Sequence, residues 1–165
     1  MHGHTDHMFA RGTRDDLVRI PRVLIADDDA LLRGMMVDAL RDDCDVIEAI
    51  DGADALEKTA DLFLETRRLP DAFILDVRMP YLSGIHVMCA LRGCDRYVPI
   101  VLTTGHEDLA THDVATRFGA VLVEKPFDIR ALCGAVLQVS RDPLPALPSR
   151  PYKARFPRPL RPVTS

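Results

Sequence analysis

Four short apolar runs, each ending on polar residues suited to chemistry, most constrain what this chain can fold into. Val23-Leu24-Ile25-Ala26 runs into Asp27-Asp28-Asp29, and Phe73-Ile74-Leu75 into Asp76. Ile100-Val101-Leu102-Thr103 runs into Thr104-Gly105, and Val121-Leu122-Val123 into Glu124-Lys125-Pro126-Phe127. Such runs read as strands buried on both faces. A carboxylate is disfavoured inside a strand and costly to bury unpaired, so Asp76 belongs at the carboxyl end of its strand. Open α/β sheets place their ligands at that end.

Between the runs the spacing changes to that of amphipathic helices. Leu32, Met36 and Leu40, with Met35 and Ala39, mark a first face, and Leu56, Ala60, Phe63 and Leu64 a second. Ile85, Met88, Cys89 and Arg92 mark a third, and Ala110, Val114, Ala115 and Phe118 a fourth. Ile129, Leu132, Cys133, Val136 and Leu137 mark a fifth. All follow the i, i+3, i+4 pattern. Asp29, Ser83 and Asp128 stand where N-caps belong, and Gly119 where a helix should stop. With a fifth strand near 46–49, the order is five βα units, which predicts a parallel sheet with helices on both faces. The doubly wound, flavodoxin-like order 2-1-3-4-5 would set the first and third strands side by side and bring Asp27, Asp28 and Asp76 together at the switch point.

This pattern occupies residues 21–140, the predicted folded domain. Residues 1–20 are polar and aperiodic and read as a flexible segment. Its histidines, His2, His4 and His7, have no cysteine or carboxylate cluster to complete a metal site. After Arg141 seven of the chain's twelve prolines appear, which excludes helix or central strand and reads as an extended, disordered tail over 141–165. Six bases against one acid, Asp142, make that tail net +5 and leave −9 on residues 1–140 within an overall −4. An acidic body argues against direct DNA binding by the folded part. No apolar run approaches the ~20 residues that span a bilayer. The start of the chain lacks a signal peptide's apolar stretch. The expectation is a soluble, cytoplasmic protein. The four cysteines, Cys44, Cys89, Cys94 and Cys133, form no C-x-x-C pair and read as buried reduced thiols.

Three carboxylates in one cleft repel one another unless a hard cation lies between them, and magnesium suits carboxylates, water and a phosphate oxygen. A metal there would screen an incoming phosphoryl group and let a carboxylate oxygen attack phosphorus. Thr104 offers a hydroxyl and Lys125 a compact cation to the phosphoryl oxygens. In this set of residues the chain resembles a response-regulator receiver domain of bacterial two-component systems, of the single-domain type. The acidic pair Asp27-Asp28, Asp76 with Met79-Pro80 and Gly84, Thr104, and Lys125-Pro126-Phe127 fall in the family's order, each after a strand.

The resemblance implies that Asp76 is the phosphoacceptor, that Asp28 binds Mg2+ directly and Asp27 through water, and that the backbone carbonyl of Arg78 is a further ligand. It implies that Thr104 and Lys125 bind the phosphoryl group and that a cis bond precedes Pro126. The phosphoryl donor would be a sensor histidine kinase or a histidine phosphotransfer protein, docking near Leu31–Met36. A downstream protein would read the face made by the fourth helix, fifth strand and fifth helix. Self-catalysed phosphorylation and dephosphorylation would make the protein a switch and not a turnover enzyme. Leu122 stands where the family often has an aromatic residue. Arg78 and His106 stand two residues after Asp76 and Thr104, where they would flank the phosphoryl group. A phosphate-independent binding module is the competing reading. A haloacid-type phosphatase is disfavoured because Val77-Arg78 follows Asp76 with no second aspartate to act as acid and base. A dinucleotide site is disfavoured because no G-x-G-x-x-G opens the first helix.

Overall fold

The computed structural model describes residues 20–93, 98–106 and 109–141. The two predicted terminal segments, apart from Ile20 and Arg141, lie outside the described residues, as does Cys94. Five strands alternate with five helices: β1 (Arg22–Ala26), α1 (Ala30–Leu40), β2 (Asp45–Ala49), α2 (Gly52–Thr66), β3 (Ala72–Asp76), α3 (Gly84–Gly93), β4 (Ile100–Thr104), α4 (Leu109–Arg117), β5 (Val121–Glu124) and α5 (Ile129–Arg141). The sheet is parallel throughout, in the order β2-β1-β3-β4-β5. This is the predicted doubly wound order. No helix among the described residues is long and apolar enough to cross a membrane.

Alternation along the central strands builds two cores. Leu24, Phe73, Leu75, Ile100 and Leu102 pack against α2, α3 and α4 through Ala55, Val87, Met88, Leu91 and Ala115. Val23, Ile25, Ile74 and Val101 face α1 and α5 through Met36, Leu40, Leu132, Cys133 and Val136. Every residue of β3 and β4 is buried, as expected of strands covered on both sides.

The predicted caps are present. Asp29 accepts from the amides of Leu31 and Leu32, and Asp128 from that of Ala131. Ser83 Oγ accepts from the His86 amide at 3.4 Å and pairs with His86 Nδ1 at 2.8 Å. Gly119 ends α4 with a φ of 63°, the left-handed conformation glycine adopts without penalty.

Three helix faces differ from expectation. In α1 Met36 and Leu40 are buried, but Met35 is exposed. In α2 the buried row is Gly52, Ala55 and Thr59, while Ala60 and Leu64 are exposed. The small row is needed because Gly52 lies against the Leu82 backbone, where a side chain has no room. The Thr59 hydroxyl is satisfied internally by the Ala55 carbonyl at 2.7 Å. In α4 Thr111 and Ala115 are buried and Ala110 is exposed.

Candidate functional site

Asp76 is the last residue of β3 and sits in register with Thr103 of β4. β4 extends beside it and β1 ends one residue short, with Ala26 opposite Leu75; the Asp76 carboxylate is almost fully buried at the rim of the sheet. Oδ1 lies 2.7 Å from Lys125 Nζ. Oδ2 accepts from the Arg78 amide at 2.8 Å, which folds the chain sharply after the strand. The Thr103 hydroxyl points at Oδ1 from 3.5 Å. Beneath Asp76 lies Gly84, whose missing side chain would collide with the Asp76 carbonyl. Gly84 is the residue that lets α3 start against the end of β3.

Lys125 follows β5. Its amide donates to the Thr104 carbonyl at 2.7 Å and its bond to Pro126 is cis. The ammonium reaches Asp27 Oδ2 at 2.9 Å as well as Asp76. One cation therefore lies between two buried carboxylates. Burial pushes the Asp76 carboxyl above its ordinary value; the hydrogen bond and charge of Lys125 oppose that shift, and Asp27 adds to it. For Lys125 burial acts to lower the pKa, but the two carboxylates outweigh it and leave the ammonium above its ordinary value.

Of the three carboxylates expected to meet, two do. Asp27 is fully buried, whereas Asp28 is exposed at the lip of the cleft. Successive side chains of an extended segment point to opposite sides, which separates the two neighbours. Asp29 turns away to cap α1. Arg78 is exposed. The Thr104 hydroxyl faces its own loop, donating to the His106 carbonyl at 3.0 Å and accepting from the His106 amide at 3.2 Å.

Two participants escaped the sequence reading. Thr103, rather than Thr104, carries the hydroxyl nearest Asp76; only the register of β3 with β4 could have chosen between adjacent threonines. Arg33 of α1 donates to the Asp27 carbonyl at 2.7 Å. Its signal was a cation in the first turn of a helix, where the dipole disfavours positive charge and another partner is needed.

Among the described residues no three His, Cys, Asp or Glu side chains are grouped to hold a metal ion. The donors that do converge are two hard carboxylates, with the cation Lys125 between them. Hard oxygens, with the rest of the shell left to a backbone carbonyl, water and a phosphoryl oxygen, are the set magnesium takes. The residues present therefore fit that ion. Beside the site an open, mostly apolar cleft of ≈ 500 Å³ is lined by Asp29, Leu31, Leu32, Met35, Lys125, Pro126 and Phe127.

Comparison with known proteins agrees with this geometry. The sequence profile of the response regulator receiver domain matches residues 23–137, and the chain belongs to that family. It is 36% identical over 129 residues to the transcriptional regulatory protein PrrA of Mycobacterium leprae, a match covering 77% of this chain and 53% of that protein. It is 37% identical over 134 residues to the transcriptional regulatory protein PdtaR of Mycobacterium tuberculosis, covering 78% of this chain and 62% of the relative. The chain thus spans about half the length of PrrA. Among solved structures, the chemotaxis protein CheY4 of Vibrio cholerae superimposes with a TM-score of 0.62 at 28% identity, covering 73% of this chain and 99% of that one. Receiver domains are signalling modules of two-component systems and not classical enzymes. They generally bind Mg2+ at the acidic pocket, and response regulators interact with histidine kinases and downstream targets.

Proposed function

We propose that this chain is a phosphorylation-dependent switch that accepts a phosphoryl group on Asp76 from a sensor histidine kinase or a histidine phosphotransfer protein. The observation that carries the reading is the buried Asp76 carboxylate with Lys125 at 2.7 Å and Asp27 on the far side of the same ammonium. A carboxylate oxygen of Asp76 attacks phosphorus, the phosphorus–nitrogen bond of the phosphohistidine breaks, and the imidazole leaves with the electron pair. Lys125 neutralises the phosphoryl oxygens as they arrive. Magnesium, when bound, supplies charge neutralisation at the same oxygens. Asp28, an exposed residue, would be the direct ligand; Asp27, already engaged by Lys125, would act through water; the Arg78 carbonyl and Asp76 would complete the protein's share.

Phosphorylation adds up to two negative charges and three acceptors at the rim. Thr104 then leaves its bonds with His106 and turns to the phosphoryl group. That motion loosens the loop entering α4 and changes the α4-β5-α5 face, where Leu109 and Val121 are already exposed for a downstream protein. Leu122, partly buried against the core, takes the place of the family's aromatic residue. The phosphodonor docks on the apolar cleft beside Lys125, with Leu31 and Met35 exposed at its wall. Arg78 and His106, both exposed at the rim, set the lifetime of the phosphoryl group by governing the approach of water. The protein works in the cytoplasm, without direct DNA binding and without turnover of a small substrate.

Incubation with magnesium and acetyl phosphate, followed by intact mass and backbone NMR, tests this. One phosphate adduct, absent in Asp76→Asn, with shifts at Thr104 and α4 is expected. A wild-type chain that takes up no phosphate and shows no shifts would leave a phosphate-independent binding module in place of the switch.

A further inference from the structure

Asp27 has no polar atom left to chance. Its amide donates to the Ala49 carbonyl at 3.3 Å, and Oδ1 accepts from the Asp29 amide at 2.9 Å. Oδ2 accepts from Lys125 at 2.9 Å, and the carbonyl accepts from Arg33 Nη1 at 2.7 Å. The first three partners belong to the strand, the turn and the site itself. The fourth reaches in from α1. Arg33 is 13% exposed at its side chain, and its Nε is fixed in turn by Glu48 Oε2 at 3.2 Å. The Glu48 carbonyl holds Lys58 Nζ at 2.7 Å, and Lys58 pairs with Asp54 at 2.9 Å. A rigid two-pronged guanidinium thus ties the loop carrying three consecutive acids to the edge of β2 and the start of α2.

We infer that Arg33 is a positioning residue for the cation site, holding the Asp27–Asp28 loop through the Asp27 carbonyl so that both carboxylates are presented to an incoming cation. A charge-assisted hydrogen bond in a nearly dry location is strong, and losing it leaves a buried carbonyl without its donor. The loop would then rotate away from the ladder contact with Ala49 and carry Asp27 and Asp28 with it. This inference rests on the reading of the site as a magnesium-assisted phosphoacceptor.

The sign of one measurement separates positioning from simple charge. A guanidinium acting only as a nearby positive charge repels a cation, so removing it would tighten magnesium binding. A positioning role predicts the opposite. The full-length wild type, Arg33→Met and Arg33→Lys are titrated with magnesium chloride alone, followed by backbone amide shifts. Loading by acetyl phosphate is then measured at limiting and saturating magnesium.

The expected result is a magnesium midpoint raised about tenfold in Arg33→Met, in the range typical of lost outer-shell support. Loading should be slowed at limiting magnesium and recover at saturation. Arg33→Lys, which keeps the charge but has one nitrogen where two contacts need two, should also bind more weakly than wild type. A responsive wild type beside an Arg33→Met midpoint that is unchanged or lower overturns the inference while leaving the switch intact, and a fall in melting temperature alone has the same meaning. If Arg33→Met does not fold, an unchanged midpoint in Arg33→Lys overturns it and a raised one supports it. A wild type with neither magnesium response nor phosphate adduct overturns the switch reading and this inference with it.

Discussion

Lys125 Nζ lies 2.7 Å from Oδ1 of Asp76, and the same nitrogen is 2.9 Å from Oδ2 of Asp27. The two carboxylates are nearly out of solvent, so each depends on that ammonium. Truncating Lys125 to Met should leave two buried negative charges facing each other and destabilise the fold by about 3 kcal/mol, the scale for breaking a buried ion pair from one side. Asp76→Asn in the Lys125→Met background should recover much of the loss, because only Asp27 then remains charged. Urea unfolding of the two variants and wild type checks both statements. A Lys125→Met chain as stable as wild type would show that solvent reaches the carboxylates.

The pH dependence follows from the same triad. Asp76 is shifted above the ordinary value of 3.8 mainly by burial. Between that value and its raised folded value the native chain holds the proton more tightly than the unfolded chain, so stability falls as pH rises through the window. Above it the cost of the buried charge is fully present. Asp76→Asn should therefore be more stable than wild type at neutral pH, and the gap should narrow as pH falls toward the ordinary carboxylate range. Lys125 is shifted above 10.5, so its contribution is complete below that value and is lost only as pH rises through its own higher folded value. Denaturant melts at several pH values would expose an error in either sign; a gap that widens on acidification would contradict the assignment to Asp76.

The sheet was legible because its strands are short apolar runs ending in charge, a pattern two covered faces impose locally. Asp76, Asp27 and Lys125 could be brought to one rim on paper because each stands at a strand's carboxyl end in a parallel sheet; the 2-1-3-4-5 order sets the ends of β1 and β3 side by side, and the long Lys125 side chain crosses from β5. Local caps were legible for a similar reason: Asp29, Asp128 and Gly119 act within a few residues of themselves. What stayed hidden depended on register or on distant backbone. The buried row of α2 contains Gly52, Ala55 and Thr59, whose weak hydrophobicity is overridden by the closeness of the Leu82 backbone. Which of two adjacent residues lies against Asp76 depended on facing: Asp27 and Asp28 were both expected there and only Asp27 is buried beside it, and Thr103, not singled out, turns its hydroxyl toward it. Arg33 and Arg92 bind backbone carbonyls, and a carbonyl leaves no mark in a sequence.

Gly84 gives a test of how closely α3 must approach the phosphoacceptor. A β-carbon there would overlap the Asp76 carbonyl oxygen and stand 3.0 Å from Leu75 Cβ. Backbone, unlike a flexible side chain, has little room to yield. Gly84→Ala should cost about 2 kcal/mol, in the range of overpacked sites, and slow loading by acetyl phosphate because the shift falls on Asp76 itself. Gly34, in the middle of α1, meets nothing within 4 Å. Gly34→Ala should instead stabilise the fold by about 0.5–1 kcal/mol through helix propensity alone. Thermal unfolding of the two variants should move in opposite directions, and a neutral Gly84→Ala would mean the helix start can slide without disturbing the site.

Arg92 of α3 secures the far end of α4. The helix closes with the Ala120 amide on the Ala115 carbonyl at 2.9 Å and the Gly119 amide on the Thr116 carbonyl at 3.1 Å, the paired bonds of a glycine-terminated helix. The guanidinium takes the next carbonyls, Phe118 at 2.8 Å and Gly119 at 3.3 Å, and also Val98 at 3.0 Å before β4. It therefore joins α4 to both α3 and the strand that carries Thr104. If α4 moves on phosphorylation, its Thr104 end is the one that travels while Arg92 anchors the other. Arg92→Met should cost about 2 kcal/mol, the scale of a hydrogen bond to a charged group. It should also speed amide exchange at Phe118–Ala120 far more than along α1. Protection left unchanged at those amides would place the anchor of α4 elsewhere, in the packing of Thr111 and Ala115 against the sheet.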